Sequence, residues 1–168
     1  MALAYFITFS TYGTWLHGSE KRSVDRSHNA YGAEFLPPNA DQEQAEGAAM
    51  LQAAYVMGPR ERDIVRDALV GLAKERGWDL LALHVRSNHV HLVVAAERDP
   101  GRMMSDMKAR ASRELTRAGF GDAERRRWSR HGSTRHLFRI ADVEAAIRYS
   151  LDEQGERMAW YAKEPRTQ

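Results

Sequence analysis

The alternation of apolar and polar residues predicts four β-strands. β-forming residues dominate from Ala2 to Thr11. Two shorter runs, Asp79 to Arg86 and His89 to Ala96, are separated by Ser87-Asn88, which is short enough for a hairpin turn. A fourth strand is predicted from Thr134 to Ile140. The two middle runs should therefore pair as antiparallel neighbours.

Helical spacing of apolar residues marks the segments between these strands. Four helices are predicted, over Asp41 to Tyr55, Pro59 to Arg76, Pro100 to Ala118 and Asp142 to about Gln154. A glycine directly follows each of the last three and supplies a stop, because glycine adopts the left-handed conformation that ends many helices. Asp41 and Asp142 are predicted to cap the first and the last of these helices.

The order of the elements predicts a fold. Apart from the short helix over Asp41 to Tyr55, the order is strand, helix, strand, strand, helix, strand, helix. The first six elements spell βαββαβ, the ferredoxin-like arrangement of the α+β class. One antiparallel sheet would carry helices on one face, and a C-terminal helix would follow. The 168 residues are predicted to form a single domain with an extended insertion at about residues 12–58.

The composition limits the chemistry open to the chain. The absence of cysteine excludes disulfides, a thiolate nucleophile and cysteine-ligated metal sites. The longest apolar runs, such as Leu92 to Ala96, are far shorter than the roughly 20 residues that a membrane span needs. The N-terminus has no basic leader and no cleavage site of small residues, so a cytoplasmic location without a membrane partner is expected.

Positive charge is concentrated in one part of the chain. The formal net charge is only +2, but residues 102–139 contain 11 basic and 4 acidic residues. Ten of these bases are arginines, which suit bidentate phosphate contacts and favour a nucleic-acid partner; a solvated basic face is the alternative. The candidate DNA-binding residues are Lys108, Arg110, Arg113, Arg117, Arg125, Arg126 and Arg127.

Two histidines are the most informative residues of the sequence. Side chains alternate along a strand, so His89 and His91 point to one face of the sheet and Val90 points to the core. Two imidazoles in register can hold one metal ion; a solvated histidine pair is the alternative. A two-residue turn would place Arg86 opposite His89 and His84 opposite His91. His84 is then either a third ligand or, as we favour, a hydrogen-bonding neighbour that orients a ligand, with Arg86 beside it.

Tyrosine is the remaining candidate for a nucleophile. Cysteine is absent and no Gly-x-Ser-x-Gly elbow occurs. Tyr149 lies off the apolar stripe of the last predicted helix, which consists of Val143, Ala146, Ile147 and Leu151. A half-buried aromatic with a wet hydroxyl is the alternative interpretation, and Tyr161 is the next candidate. The hydroxyl would need a base, for which His84, Asp152 and Glu153 are unranked candidates.

Three motifs resemble those of one known family. His89-Val90-His91 resembles the HUH signature, two histidines around a bulky hydrophobic residue. In the form Asn-His-Val-His-Leu it is similar to the single-tyrosine transposases of the insertion sequence 200 type and their REP-associated relatives. Met107 to Arg113 resembles the family's lysine-bearing helix, and Arg148 to Leu151 resembles its late helix with the nucleophilic tyrosine. The ordered set covers roughly Asp79 to Gln154.

The resemblance implies an activity and a set of roles. Family members share the βαββαβ sheet and cut single-stranded DNA, with or without a hairpin, and they include both dimers and monomers. The resemblance implies that Tyr149 attacks a backbone phosphate and becomes linked to its 5′ side, leaving a free 3′ hydroxyl. It further implies that His89, His91 and a polar residue on the tyrosine helix hold a divalent metal, Mg²⁺ or Mn²⁺.

The third metal ligand departs from the family pattern. The family places Gln or Asn four residues after the tyrosine, where this chain has Glu153, followed by Gln154. A residue at i+4 shares the face of the tyrosine on a helix, which favours Glu153. A kink or a frayed helix end would bring Gln154 in instead.

Two non-catalytic interpretations stay open. RNA-recognition motifs share the βαββαβ order but need stacking aromatics on the central strands, and His89 to Ala96 contains none. An inactive transposase relative that still binds DNA would have the same sequence features. The insertion mixes aromatic and basic residues, which suits base stacking plus phosphate contact. A clamp packed against the domain is an equally good interpretation of the insertion.

Overall fold

The structure is a computed structural model that describes residues 1–13 and 51–165. Within these residues the chain forms five strands and three helices. In chain order they are β1 (Ala4–Thr11), α1 (Pro59–Arg76), β2 (Asp79–Val85), β3 (His89–Ala95), α2 (Pro100–Arg117), β4 (Trp128–Leu137), α3 (Ile140–Asp152) and β5 (Ala159–Ala162).

The strands form one antiparallel sheet in the order β4-β1-β3-β2-β5. The first four strands in this order have the ferredoxin-like topology, so the predicted α+β fold is confirmed. β5 was not predicted. It is only four residues long, too short for a recognisable alternation, and it forms by pairing with the outer edge of β2.

Several predicted boundaries are wrong. β4 spans Trp128–Leu137 rather than 134–140. Its first half is polar and has no apolar alternation, so this part is a strand because it pairs with β1. The last helix begins at Ile140 with Arg139 at the cap position, and Asp142 lies in the first turn, where its carboxylate binds the Arg139 guanidinium at 2.9 Å. Of the helix predicted over residues 41–55, residues 51–55 are not helical and the rest lies outside the described residues.

The two helices between the strands cover one face of the sheet, as predicted. The larger core lies there, where Leu69 of α1 and Met107 of α2 pack against Phe9, Leu83 and Leu92 of the sheet. α1 ends at Gly77, whose φ of 69° is left-handed and whose N–H reaches the carbonyls of the last turn.

The third helix packs against the opposite face. Ala146 and Leu151 of α3 contact a second, smaller core that includes Ala82 and Val93. This is also the face to which the histidines of β3 point, because Val90, Leu92 and Val94 belong to the larger core. α3 therefore brings its polar side chains over the histidine pair. None of the described helices has the length and apolar character to cross a bilayer.

Candidate active site

The histidine pair lies in the middle of the sheet. In the β2–β3 hairpin His84 pairs with His91, and the backbone N–H of Arg86 donates to the His89 carbonyl at 2.9 Å. The register predicted from a two-residue turn is therefore confirmed. On the other side of β3, Thr8 of β1 pairs with His91. Since paired residues share a face, these side chains form one polar patch on the face that α3 covers.

One hydrogen bond orients each imidazole of the pair. Nδ1 of His89 lies 2.6 Å from Oδ1 of Asn88, and Nδ1 of His91 lies 2.8 Å from Oγ1 of Thr8. The Nδ1 atoms are thus engaged by protein partners. The Gln154 side chain lies near both rings and raises the pKa of each imidazole, against the stronger lowering by burial.

Burial keeps both imidazoles uncharged near neutral pH. It lowers the pKa of His89 from 6.5 to about 4 and that of His91 to about 3, and for His91 the neighbouring His89 adds to the effect. A neutral imidazole has a free lone pair, and metal ligation requires one. The pair therefore has the protonation state of a metal site without any further change.

Tyr149 lies at the edge of the same patch. Its ring is edge-on to the rings of His91 and Phe6, with centroid distances of 5.6 and 5.9 Å, and the residue is 42% exposed. Its position off the apolar stripe of α3 thus places it beside the histidines and within reach of solvent. Tyr161 pairs with Leu83 of β2 and packs on the larger core, across the sheet from the histidines.

The end of α3 decides which polar side chain meets the histidines. The helix stops at Asp152, and Glu153 at the C-cap position has a non-helical φ of −106°. The i+4 geometry that favoured Glu153 therefore does not apply. Gln154 follows the helix and donates to the Tyr149 carbonyl at 3.4 Å, and its side chain lies near both imidazoles. The helix thus ends before Glu153, as in the second possibility that the sequence left open, and the choice between Glu153 and Gln154 as ligand stays a prediction.

His84 is fully buried and both of its ring nitrogens are occupied. Nδ1 donates to the Ser150 carbonyl at 2.7 Å, and Nε2 accepts from the Met158 N–H at 3.0 Å. Neither nitrogen is available to a metal or to a tyrosine proton, so His84 serves neither as a third ligand nor as a base. Arg86 lies beside His89 and donates from Nη1 to the Glu156 carbonyl at 2.9 Å.

The donor set of the patch fits a divalent cation. Within residues 1–13 and 51–165 no three His, Cys, Asp or Glu side chains cluster as a metal site. The two neutral imidazoles and the amide of Gln154 are nevertheless potential ligands, and both imidazoles are oriented through Nδ1, as metal-bound histidines usually are. Nitrogen ligands of this kind suit Mn²⁺ better than Mg²⁺.

The basic residues selected from the sequence do not form one surface. Lys108 donates to the carbonyls of Ser129 and His131 at 3.0 and 3.2 Å, and burial lowers its pKa to about 8. Arg127 is 3% exposed and donates to Thr116 and to the Phe120 carbonyl at 2.9 and 2.8 Å. Both side chains thus bind backbone carbonyls of the protein itself, and Arg127 is buried.

The other selected arginines lie on α2 or on the loop after it, away from the histidines. Arg125 binds Gln52 and the Ala54 carbonyl at 3.0 and 3.3 Å and covers the Tyr55 ring, so it fastens the described end of the insertion to this loop. Arg110 pairs with Glu75 at 2.9 Å. The exposed members are Arg113, Arg117 and Arg126. Several of the arginines in this stretch thus stabilise the protein itself.

Arg135 is a basic residue of the site face that the selection missed. It pairs with Phe6 across the β1–β4 ladder, so its side chain points to the face of Tyr149 and the histidines. Its register against β1 would have revealed its face, but this register was not predicted because the boundaries of β4 were misplaced.

Replacing Arg127 should destabilise the protein. For Arg127→Met we expect a free energy of unfolding lower by about 2–3 kcal/mol, because buried acceptors lose a charged donor. Arg113→Met is the matched control on the same charge run and should change it by less than about 0.5 kcal/mol. Urea unfolding followed by circular dichroism measures both. Equal free energies of unfolding for the two variants would show that the hydrogen bonds of Arg127 do not stabilise the fold.

Comparisons with known proteins show which family the chain resembles. The family model described as "Transposase IS200 like" matches residues 54–140, just over half of the chain. The structure of a REP-associated tyrosine transposase bound to a REP hairpin is similar at 13% identity and a TM-score of 0.46, with 89% of this chain and 66% of that chain covered. This chain therefore spans slightly less than two thirds of that protein.

A second solved structure is of a candidate transposase from Deinococcus radiodurans R1. It is similar at 17% identity and a TM-score of 0.47, with 86% of each chain covered. No curated protein matches the chain. The matched residues 54–140 include the histidine pair and end where α3 begins. By the extent of this family match, the chain belongs to the IS200-like transposase family.

Proposed function

We propose that this transposase cuts and rejoins single-stranded DNA with Tyr149 as the nucleophile and with the help of a divalent metal ion. One observation carries the proposal: the Tyr149 ring lies 5.6 Å from the His91 ring, whose neighbour is the His89 ring at 4.6 Å, and burial keeps both imidazoles neutral. A nucleophile, candidate metal ligands and solvent access thus meet on one face of the sheet.

The proposed reaction is a transesterification at phosphorus. The Tyr149 oxygen forms a bond to a backbone phosphate, and the bond from that phosphorus to the 3′ oxygen breaks. The tyrosine proton passes to a base, and the leaving 3′ oxygen takes up a proton. The DNA remains attached through a 5′-phosphotyrosine, and attack by a 3′ hydroxyl reverses the step without any energy source.

The proposed metal site consists of His89, His91 and Gln154. A bound Mn²⁺ or Mg²⁺ would polarise the phosphate and offset the charge that builds up on its oxygens. The three side chains hold and orient the ion, and Asn88 and Thr8 keep the imidazoles in place through Nδ1.

Glu153 is the proposed base. His84 has no free ring nitrogen, and the Asp152 carboxylate pairs with Arg157 at 2.5 Å. Glu153 is exposed and makes no hydrogen bond or ion pair within the described parts of the chain. It directly follows the end of the helix that carries Tyr149, and its unpaired carboxylate is available to accept the proton of the hydroxyl.

The proposed path of the DNA follows the site face. Arg86 beside His89 and Arg135 beside Phe6 are the basic residues that register places on this face. Tyr149 and the histidines of a single chain are in contact, so we propose cleavage in cis. A hairpin next to the cleaved strand remains an expectation from the family resemblance, as does assembly into a dimer.

Covalent capture tests the function directly. Labelled single-stranded DNA incubated with the protein and Mn²⁺ should give an adduct that survives denaturing electrophoresis and that proteolysis, but not heating, removes. Binding without an adduct, over a range of sequences with and without hairpins, would instead indicate a DNA-binding relative that has lost catalysis.

A further inference from the structure

The side chain of His84 contacts both ends of the chain segment that links α3 to β5. The His84 imidazole binds the Ser150 carbonyl with Nδ1 and the Met158 N–H with Nε2. Ser150 is in the last turn of α3, and Met158 directly precedes β5. One ring thus bridges the two ends of the segment from Ser150 to Met158.

This segment contains the residue that meets the metal-site histidines. Gln154 lies midway along it, with its side chain near His89 and His91. Its backbone is outside any helix or strand, so no regular hydrogen-bond ladder holds it. Besides the ring of His84, polar contacts of this segment include the bond from Arg86 to the Glu156 carbonyl, the Asp152–Arg157 ion pair and the 3.4 Å bond from the Gln154 side chain to the Tyr149 carbonyl, all of them exposed. Exposed ties of this kind contribute little.

We propose that His84 is a positioning residue that fixes Gln154 against His89 and His91 by closing the segment from Ser150 to Met158. This inference rests on the proposed function for its consequence, since Gln154 matters to activity only as part of the metal site. The geometric part is independent of any metal. A side chain on a segment whose ends are already held loses less conformational entropy when it binds a metal ion. A side chain on a segment that is not held loses more, because the segment becomes ordered only on binding.

The partners of His84 dictate one form of the ring. A carbonyl only accepts and an N–H only donates, so the imidazole must be neutral with its proton on Nδ1. Two substitutions separate the two bonds. In His84→Asn the amide nitrogen takes the place of Nδ1 and keeps the bond to Ser150, whereas in His84→Gln the amide oxygen takes the place of Nε2 and keeps the bond to Met158.

Ser150→Ala is the matched control. It removes a buried hydroxyl that donates to the Ala146 carbonyl at 2.7 Å, in the same turn of α3, and it leaves the Ser150 carbonyl and His84 in place. It should cost a similar amount of stability without opening the segment. A general loss of stability and a loss of positioning are therefore distinguishable.

The first measurement uses the metal-free full chain. We expect His84→Asn to raise the hydrogen-exchange rate of the Met158 amide at least tenfold. In ¹⁵N spectra, His84→Asn and His84→Gln should each move the imidazole signals of His89 and His91 in the direction in which Gln154→Ala moves them. Ser150→Ala should leave these signals in place. Unmoved signals in the folded His84 variants, or in Gln154→Ala itself, would overturn the proposal.

The second measurement adds the metal. Calorimetric titration with Mn²⁺ should show affinity about tenfold lower in His84→Asn, as for other residues that orient ligands, and unchanged in Ser150→Ala. His84→Asn should cause no further loss in a Gln154→Ala background. Additive losses would overturn the proposal. A wild-type chain that binds no Mn²⁺ and forms no adduct would refute the proposed function, and the imidazole spectra would still decide whether His84 places Gln154.

Discussion

Tyr149→Phe should abolish the covalent adduct and DNA cleavage. The substitution removes only the attacking oxygen, so the rate should fall at least about 10³-fold. The ring that packs edge-on against Phe6 and His91 remains, and we therefore expect stability and single-strand DNA affinity close to wild type. Denaturing electrophoresis of the labelled adduct measures the first effect. Thermal unfolding and a DNA titration measure the other two.

Tyr161→Phe is the matched control for this experiment. Tyr161 has the same chemistry but lies across the sheet, packed on the larger core. We expect it to form the adduct at the wild-type rate. An adduct that persists in Tyr149→Phe and disappears in Tyr161→Phe would show that the wrong tyrosine has been assigned.

Loss of His91 or Gln154 should weaken Mn²⁺ binding at the proposed metal site. We expect His91→Ala to lower Mn²⁺ affinity at least 100-fold and Gln154→Ala to lower it about tenfold, because the first loses an oriented imidazole and the second loses the amide that lies near both rings. Adduct formation should fall with metal occupancy. Calorimetric titration of folded variants with Mn²⁺ measures the affinities.

Glu153→Ala separates the two candidate ligands. Glu153 follows the end of α3 and is exposed, whereas Gln154 reaches the imidazoles. We expect Glu153→Ala to bind Mn²⁺ as the wild type does while it cleaves DNA more slowly, since its proposed role is that of a base. If Glu153→Ala loses the metal and Gln154→Ala retains it, the interpretation from helical spacing is correct and the contact of Gln154 is incidental.

The sheet shows why part of this fold was predictable. The period-two alternation of β3 is local, and one face of it must be buried, so the pattern alone placed Val90 in the core and His91 on the other face. A two-residue turn also dictates register, which put His84 opposite His91. The strand β5 and the first half of β4 have no such pattern, because neighbouring strands supply their stabilisation.

Charge was the least reliable guide to the binding surface. A run of arginines indicates phosphate contacts only if the guanidinium groups are free, and burial cannot be deduced from charge. Arg127 and Lys108 instead satisfy backbone carbonyls at the ends of α2 and β4. These hydrogen bonds to other parts of the chain give Arg127 and Lys108 a structural role. Arg135, by contrast, lies on the site face because of the register between β4 and β1.

The sequence by itself determined the order of the elements from β1 to α3 and the face of the histidine pair, because each depends on a short-range period. The choice of Tyr149 as nucleophile stays a prediction. Tertiary structure decided where α3 ends, which polar residue meets the imidazoles and what His84 binds. Helical spacing assumes that the helix continues, and its end depends on how the chain turns back to pair β5 with β2. That turn begins at Glu153 and ends where β5 pairs with β2, and the buried ring of His84 contacts the chain near both of its ends.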